Sequence, residues 1–256
     1  MCGGIKGVIT DASEIYKTIK QLEHNVLSES FCDSFCDKKD YDSTSYNKGD
    51  IFGITGLLGS GRSEIGEAIF GITPPDSGKI ILNGKNVTIH SVADAIENKI
   101  AYVPEDRLTE GLFIEKSIEK NMMASSLRKY FKGMKLDEKA MREASDDLVK
   151  ELGVVTPSSQ VPVRTLSGGN AQKVVIAKWL NTHPKLFILN GPTVGVDIGA
   201  KTEIHELLRK LAAQGMAIVI ISDDLSELIT NCNKIMVMKN GKASGITDNN
   251  IDNIKL

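Results

Sequence analysis

Hydrophobic and polar positions change rhythm several times along this chain, and each change predicts an element. Ile51-Phe52-Gly53-Ile54-Thr55 is a short apolar run after the turn Gly49-Asp50, which predicts a buried strand. A glycine-rich turn from Gly56 to Ser63 leads into a helix through about Phe70, ended by Gly71 and Pro74-Pro75. Lys79 to Leu82 and Lys85 to Val87 flank Asn83-Gly84, a two-residue hairpin signal. Ser91 caps a short helix to about Asn98, and Lys99 to Val103 is a strand stopped by Pro104. From about Leu112 to Val163 the pattern is mostly helical. Asp137 caps one helix there, with apolar positions at Met141, Leu148 and Leu152 and an end at Gly153.

The second half is clearer. A helix from about Asn170 to Leu180 precedes Leu186 to Leu189, a fully apolar strand. Ile204, Leu207, Leu208 and Leu211 form one helix face, closed by Gly215. Met216 to Ile221 has almost no polar residue, as expected at the centre of a parallel sheet. A helix over Leu225 to Ile229 leads to the strand Lys234 to Met238 and the turn Asn240-Gly241. Strands alternating with helices predict an α/β fold with a mainly parallel core sheet, an antiparallel β portion and an inserted helical subdomain at roughly 107–165. Residues 1–25 are polar, with a short helical pattern at Ile15, Ile19 and Leu22. Val26 to Asn47 has poor alternation with room for two strands.

The composition narrows the classes. A formal net charge of −2 argues against a nucleic-acid binder, which would show a basic stripe. No apolar run reaches the roughly 18 residues needed to cross a bilayer, and no secretory signal is visible. Cys2, Cys32, Cys36 and Cys232 have no partner pair at zinc-site spacing and read as free thiols in a reducing cytoplasm.

Two turns carry candidate chemistry. Gly56-Leu57-Leu58-Gly59-Ser60-Gly61-Arg62-Ser63 has the spacing of a phosphate loop: glycine, four residues, glycine, a basic residue and a hydroxyl. Glycines bare the backbone N–H groups, and the helix that follows adds partial positive charge. Ser63 is placed to ligate Mg²⁺, with Glu64 following it. Strict matches carry lysine where this chain has Arg62, and arginine is larger and fork-shaped. The second turn, Leu166-Ser167-Gly168-Gly169-Asn170 with Gln172, combines a hydroxyl, two glycines and a helix start. Taken alone, each also fits an ordinary helix N-terminus, with Ser167 as a cap.

Together these segments resemble the ATP-binding subunits of ABC transporters, from about Lys48 to the C-terminus. Leu166 to Gln172 resembles the ABC signature, Gly56 to Ser63 the phosphate loop, and Leu186 to Leu189 with Pro192-Thr193 the Walker B strand and its exit. Gly195-Val196-Asp197 resembles the D-loop. More narrowly, the phosphate-loop sequence, Val103 to Arg107 and Pro192 to Lys201 resemble the second ATP-binding domain of bacterial monosaccharide importers, which carry two such domains in one polypeptide.

The departures from that pattern matter. The resemblance places a metal-holding aspartate and a water-orienting glutamate at the positions of Asn190 and Gly191. Asparagine brings no charge to a cation, and glycine has no side chain to act as base. Glu105 stands at the usual glutamine position, and Asp223 stands where a histidine usually reaches the γ-phosphate, so a repulsive carboxylate is expected there. Phosphoryl transfer depends on positioning and charge neutralisation, so hydrolysis by these residues in cis is expected to be poor or absent.

The resemblance therefore implies a degenerate nucleotide site that uses ATP and Mg²⁺. It also implies a signature turn donated in trans to ATP on a partner domain, with Asp197 coupling the two. The implied partners are a second ATP-binding domain, membrane permease subunits and, indirectly, a sugar-binding protein. The implied location is the cytoplasmic face of the membrane. The alternatives are a self-sufficient ATPase using Glu105 or Asp224, and a regulatory module without nucleotide. Residues 1–25 are read as the tail of a preceding ATP-binding domain or a linker and residues 26–256 as the domain itself; Lys6 to Asp11 resembles Ala243 to Asp248, as expected of such a tail. Tyr41 or Tyr46 is a candidate to stack on adenine, Trp179, Met122 and Met123 read as core, and His205 reads as a solvated or capped side chain.

Overall fold

Apolar runs covered on both faces can only form central strands, and the computed structural model, which describes residues 51–73, 75, 80–82 and 85–249, builds them so. In chain order the strands are β1 (Ile51–Gly56), β2 (Ile80–Leu82), β3 (Lys85–Val87), β4 (Ile100–Val103), β5 (Phe131–Lys132), β6 (Lys135–Leu136), β7 (Leu186–Asn190), β8 (Ala217–Ile221), β9 (Lys234–Lys239) and β10 (Lys242–Asp248). The helices are α1 (Arg62–Phe70), α2 (Val92–Glu97), α3 (Ile118–Met123), α4 (Glu138–Glu151), α5 (Gly168–Leu180), α6 (Ile198–Ala213) and α7 (Leu225–Asn231). The main sheet has the order β10-β9-β1-β8-β7-β4, and every pairing is parallel except β9 with β10. Ile100, Val103, Phe187, Ile188, Leu189, Ile220 and Ile221 are fully buried. Side chains on both faces of these strands are thus withdrawn from water, at roughly 25 cal/mol per Å² of apolar surface.

The predicted elements appear within a residue or two, including the caps at Ser91 and Asp137. Two features differ. β10 is an unexpected strand, because Lys242-Ala243-Ser244-Gly245-Ile246 alternates weakly and carries a bulge between Ala243 and Gly245. The middle segment is less helical than its pattern suggests: a 3₁₀ stretch at Ala124–Tyr130 and the β5–β6 hairpin separate α3 from α4. The expectations for residues 1–47, for Cys2, Cys32 and Cys36, and for the Asn83-Gly84 turn lie outside the described residues. Trp179 packs edge-on to Phe70 in the core, and Met122 and Met123 are fully buried. No helix among the described residues is long and apolar enough to cross a membrane.

Helix α1 lies close on the sheet through Gly66. A Cβ there would stand 2.8 Å from Ile221 Cδ1 and 2.9 Å from Tyr102 Cε2. Gly66→Val should cost about 2 kcal/mol by overpacking, read as a lower urea midpoint at unchanged slope. An unaltered midpoint would show that α1 does not rest on this contact.

Candidate functional site

Because β1, β4, β7 and β8 run parallel, their carboxyl ends emerge along one edge of the sheet, where open α/β sheets place ligands. From those ends come the Gly56–Gly61 loop, Pro104 and Glu105, Asn190 and Gly191, and Ser222 and Asp223. The fold thus brings together positions that are far apart in sequence. In the loop, Ser60 N–H donates to the Leu57 carbonyl at 2.9 Å, and Leu57, Leu58 and Gly59 face solvent. Gly61 precedes α1 at φ 93 and supplies no side-chain cap, so the helix N–H groups point at the loop uncapped. The Ser60 hydroxyl is buried with no partner. Glu64 is half-buried in the first helical turn.

Arg62 turns inward. It is only 5% exposed; Nη1 donates to the Gly56 carbonyl at 2.5 Å, and Nη2 stands 3.4 Å from Asp223 Oδ2. Asp223 therefore does more than repel phosphate as the sequence suggests: it neutralises the loop's own cation. The Ser63 hydroxyl donates to Asn190 Oδ1 at 3.5 Å, and Asn190 Nδ2 donates to the Tyr102 hydroxyl at 3.3 Å. Burial pushes the Tyr102 phenol upward, so it stays neutral. Gly191 holds φ +55, and a Cβ there would meet Val194 Cγ2 at 2.9 Å and Glu105 Cγ at 3.1 Å. Glu105 itself is exposed.

These donors fit a phosphate: loop N–H groups, an unpartnered hydroxyl and a guanidinium. They do not fit a side-chain-held divalent cation. Ser63 and the neutral Asn190 face each other, and no cluster of three metal-ligating side chains occurs among the described residues.

The second turn lies apart from this chemistry. Ser167 is exposed and caps α5, its Oγ accepting from Asn170 N at 3.4 Å and Asn170 Nδ2 at 3.0 Å. Gly168 is half-buried and Gly169 buried, and Leu166 and Asn170 are half-buried. Gln172 is 2% exposed, so it points into the fold rather than out from the turn. Asp197, exposed, caps α6 by accepting from Ala200 N at 2.9 Å. Arg107, which no spacing or motif singles out for a role, ties this region together. It opens a wide turn of π-helix at Arg107–Gly111 and donates to the Val194 carbonyl at 2.5 Å and the Gly195 carbonyl at 2.9 Å. At the other end of that turn, Lys178 of α5 donates to the Gly111 carbonyl at 2.6 Å, and burial lowers the Lys178 pKa to about 8.

Behind the site, the buried Glu227 carboxylate joins four segments. Oε1 accepts from Thr193 Oγ1 and faces His205 Nε2, both at 2.8 Å, and Oε2 accepts from Ser222 Oγ at 2.6 Å. His205 is thus a half-buried partner of this carboxylate rather than a solvated side chain. Burial opposes ionisation of Glu227, but the bonds from His205, Ser222 and Thr193 together hold it below the usual carboxylate range. An ionised carboxylate only accepts, so His205 Nε2 carries the proton in this contact.

The "ABC transporter" family description matches residues 40–194, more than half of the chain. The chain belongs to the ABC transporter family. It is 44% identical over 204 residues to the ribose import ATP-binding protein RbsA of Bacillus cereus, covering 80% of this chain and 41% of that protein. It is 43% identical over 208 residues to a putative ribose/galactose/methyl galactoside import ATP-binding protein of Pseudomonas fluorescens, covering 81% and 40%. The chain thus spans about two fifths of the length of these curated relatives. The ADP conformation of MJ1267, an ATP-binding cassette of an ABC transporter, superposes at TM-score 0.67 and 24% identity, covering 79% of this chain and 81% of that one. The fold is therefore that of an ABC ATP-binding domain.

Two side chains of this ABC domain escaped the sequence reading. The Val103 to Arg107 run does not disclose that the Arg107 guanidinium crosses to the Val194 and Gly195 carbonyls. Glu227 carries no signal in the sequence beyond its place in the helix that starts at Leu225. Its lowered pKa means stability fully present above the ordinary value of 4.5 and lost as pH falls through the folded value. The urea midpoint of the wild type should therefore fall more steeply below that pH than that of Glu227→Gln. Equal acid slopes would remove Glu227 from this role.

Proposed function

We propose that this chain is the ATP-binding part of a sugar-type ABC importer whose own nucleotide site is degenerate. It presents its signature turn to ATP held by a partner ATP-binding domain. One contrast carries the reading: Ser167 stands exposed at the start of α5, while the cis positions hold Asn190, Gly191 and a pre-paired Asp223. The Bacillus cereus relative at 44% identity is a ribose import ATP-binding protein, which supports the sugar class.

In cis, the loop N–H groups, Ser60 and Arg62 would bind the phosphates of a nucleotide. Ser63 would be the protein's single hydroxyl toward Mg²⁺, which supplies charge neutralisation when it accompanies ATP. No residue at 191 can orient a water. In trans, the Ser167 hydroxyl and the N–H groups of Gly168 and Gly169 donate to phosphate oxygens facing the turn, where fixed donors lower the cost of developing charge. The partner domain lies on the same natural polypeptide or on a second chain. The assembly sits at the cytoplasmic face of the membrane, against permease subunits served by a sugar-binding protein.

In the assembled transporter, Ser167→Arg should reduce ATP hydrolysis by about 100-fold, the scale of losing a preorganised donor. Asn190→Ala should change it less than about twofold, since no charge is lost. Steady-state phosphate release measures both, and the opposite ranking would reject the trans assignment.

A further inference from the structure

The interior of the phosphate loop already holds a cation and its counter-ion. Arg62 is 5% exposed, spans from the Gly56 carbonyl to the Asp223 carboxylate, and leaves its Nε buried with no partner. The Ser60 hydroxyl beside it is buried and equally unpartnered. Two unpaired buried donors in one loop are a departure from the usual pairing of buried polar groups, and an anion that entered the loop would supply the missing acceptors. The only anion in ion-pair contact with the guanidinium among the described residues is Asp223, whose side chain is 66% exposed, so solvent rather than packed neighbours surrounds most of it.

We propose that Asp223 is a latch on the phosphate loop: its carboxylate occupies the Arg62 guanidinium, and a ligand binds by displacing it. The proposal rests on the reading of the loop as a phosphate site. Displacement needs more than one new acceptor, because the incoming anion must replace the carboxylate on Arg62 and also use the Ser60 hydroxyl and the N–H groups before α1. A diphosphate spreads its acceptors and charge over two groups and can meet these separate donors at once, so it should compete with the carboxylate better than a single phosphate does. The groups that face Arg62 are consistent with this assignment: the Gly56 carbonyl behind it, and Asp223 from the carboxyl end of β8. Asn190 is engaged elsewhere, with Ser63 and Tyr102.

A double-mutant cycle on the full chain tests this, with inorganic pyrophosphate and ATP as probes in isothermal titration calorimetry. Asp223→Asn should tighten both by about tenfold, between the values of an exposed and a buried ion pair. In an Arg62→Gln background the same change should tighten them less than about twofold, because there is no guanidinium left to release. Arg62→Met replaces Arg62→Gln if circular dichroism shows the latter unfolded. Inorganic phosphate should bind the wild type more weakly than pyrophosphate and gain less from Asp223→Asn. No gain from Asp223→Asn would overturn the latch. An equal gain in both backgrounds would overturn it too, since Asp223 would then act by plain repulsion. Failure of every variant to bind either probe would reject both the latch and the loop as a phosphate site, while the Ser167 assay would still judge the trans role on its own.

Discussion

Everything at the candidate site depends on strands β1, β4, β7 and β8 running the same way. Parallel pairing puts four carboxyl ends on one edge, and each end delivers one side chain or loop to a common place. An antiparallel neighbour within this set would have sent Asn190 or Asp223 to the far side of the molecule. The apolar character of the strands is what makes this arrangement affordable, since both faces are covered. The Glu227 carboxylate then fixes the loops after β7 and β8 against each other through Thr193 and Ser222. A buried charge held by three hydrogen-bond partners is stable only if all of them stay in place, so it transmits position rather than adding much net stability.

The two turns of the domain have opposite electrostatic characters. The loop before α1 satisfies its cation internally, with Arg62 paired to Asp223 and bonded to Gly56. The turn before α5 directs its hydroxyl outward, and its neighbours are held from behind by Arg107 and Lys178. One helix N-terminus faces a filled interior, and the other faces open surface.

Much of the fold was legible because strands such as Leu186–Asn190 and Ala217–Ile221 are nearly pure apolar runs with glycine, proline or capping residues nearby. The start of α5 was legible from Ser167-Gly168-Gly169. β10 was not, because an edge strand needs no apolar face and its alternation is weak. The middle segment misled because residues with helical spacing also serve 3₁₀ turns. At the site, residue identities were readable and their pairings were not. The charge of Asp223 was plain, but whether it meets a phosphate or Arg62 depends on strand order and on the inward turn of a buried side chain. The same holds for His205, whose partner Glu227 lies on another helix.

Gly191 has a consequence for how this chain can change. Its backbone sits in the left-handed region, and the volume a side chain would enter is already taken by Val194 and Glu105. A glutamate introduced there would meet backbone strain, a steric contact and a neighbouring carboxylate together, each of them unfavourable. A side chain at 191 would therefore require Val194 to shift and the exposed Glu105 side chain to swing aside, besides the backbone strain. Position 191 is thus tuned by its surroundings to a residue without a side chain, and its tolerance is set by Val194 and Glu105 as much as by its own backbone.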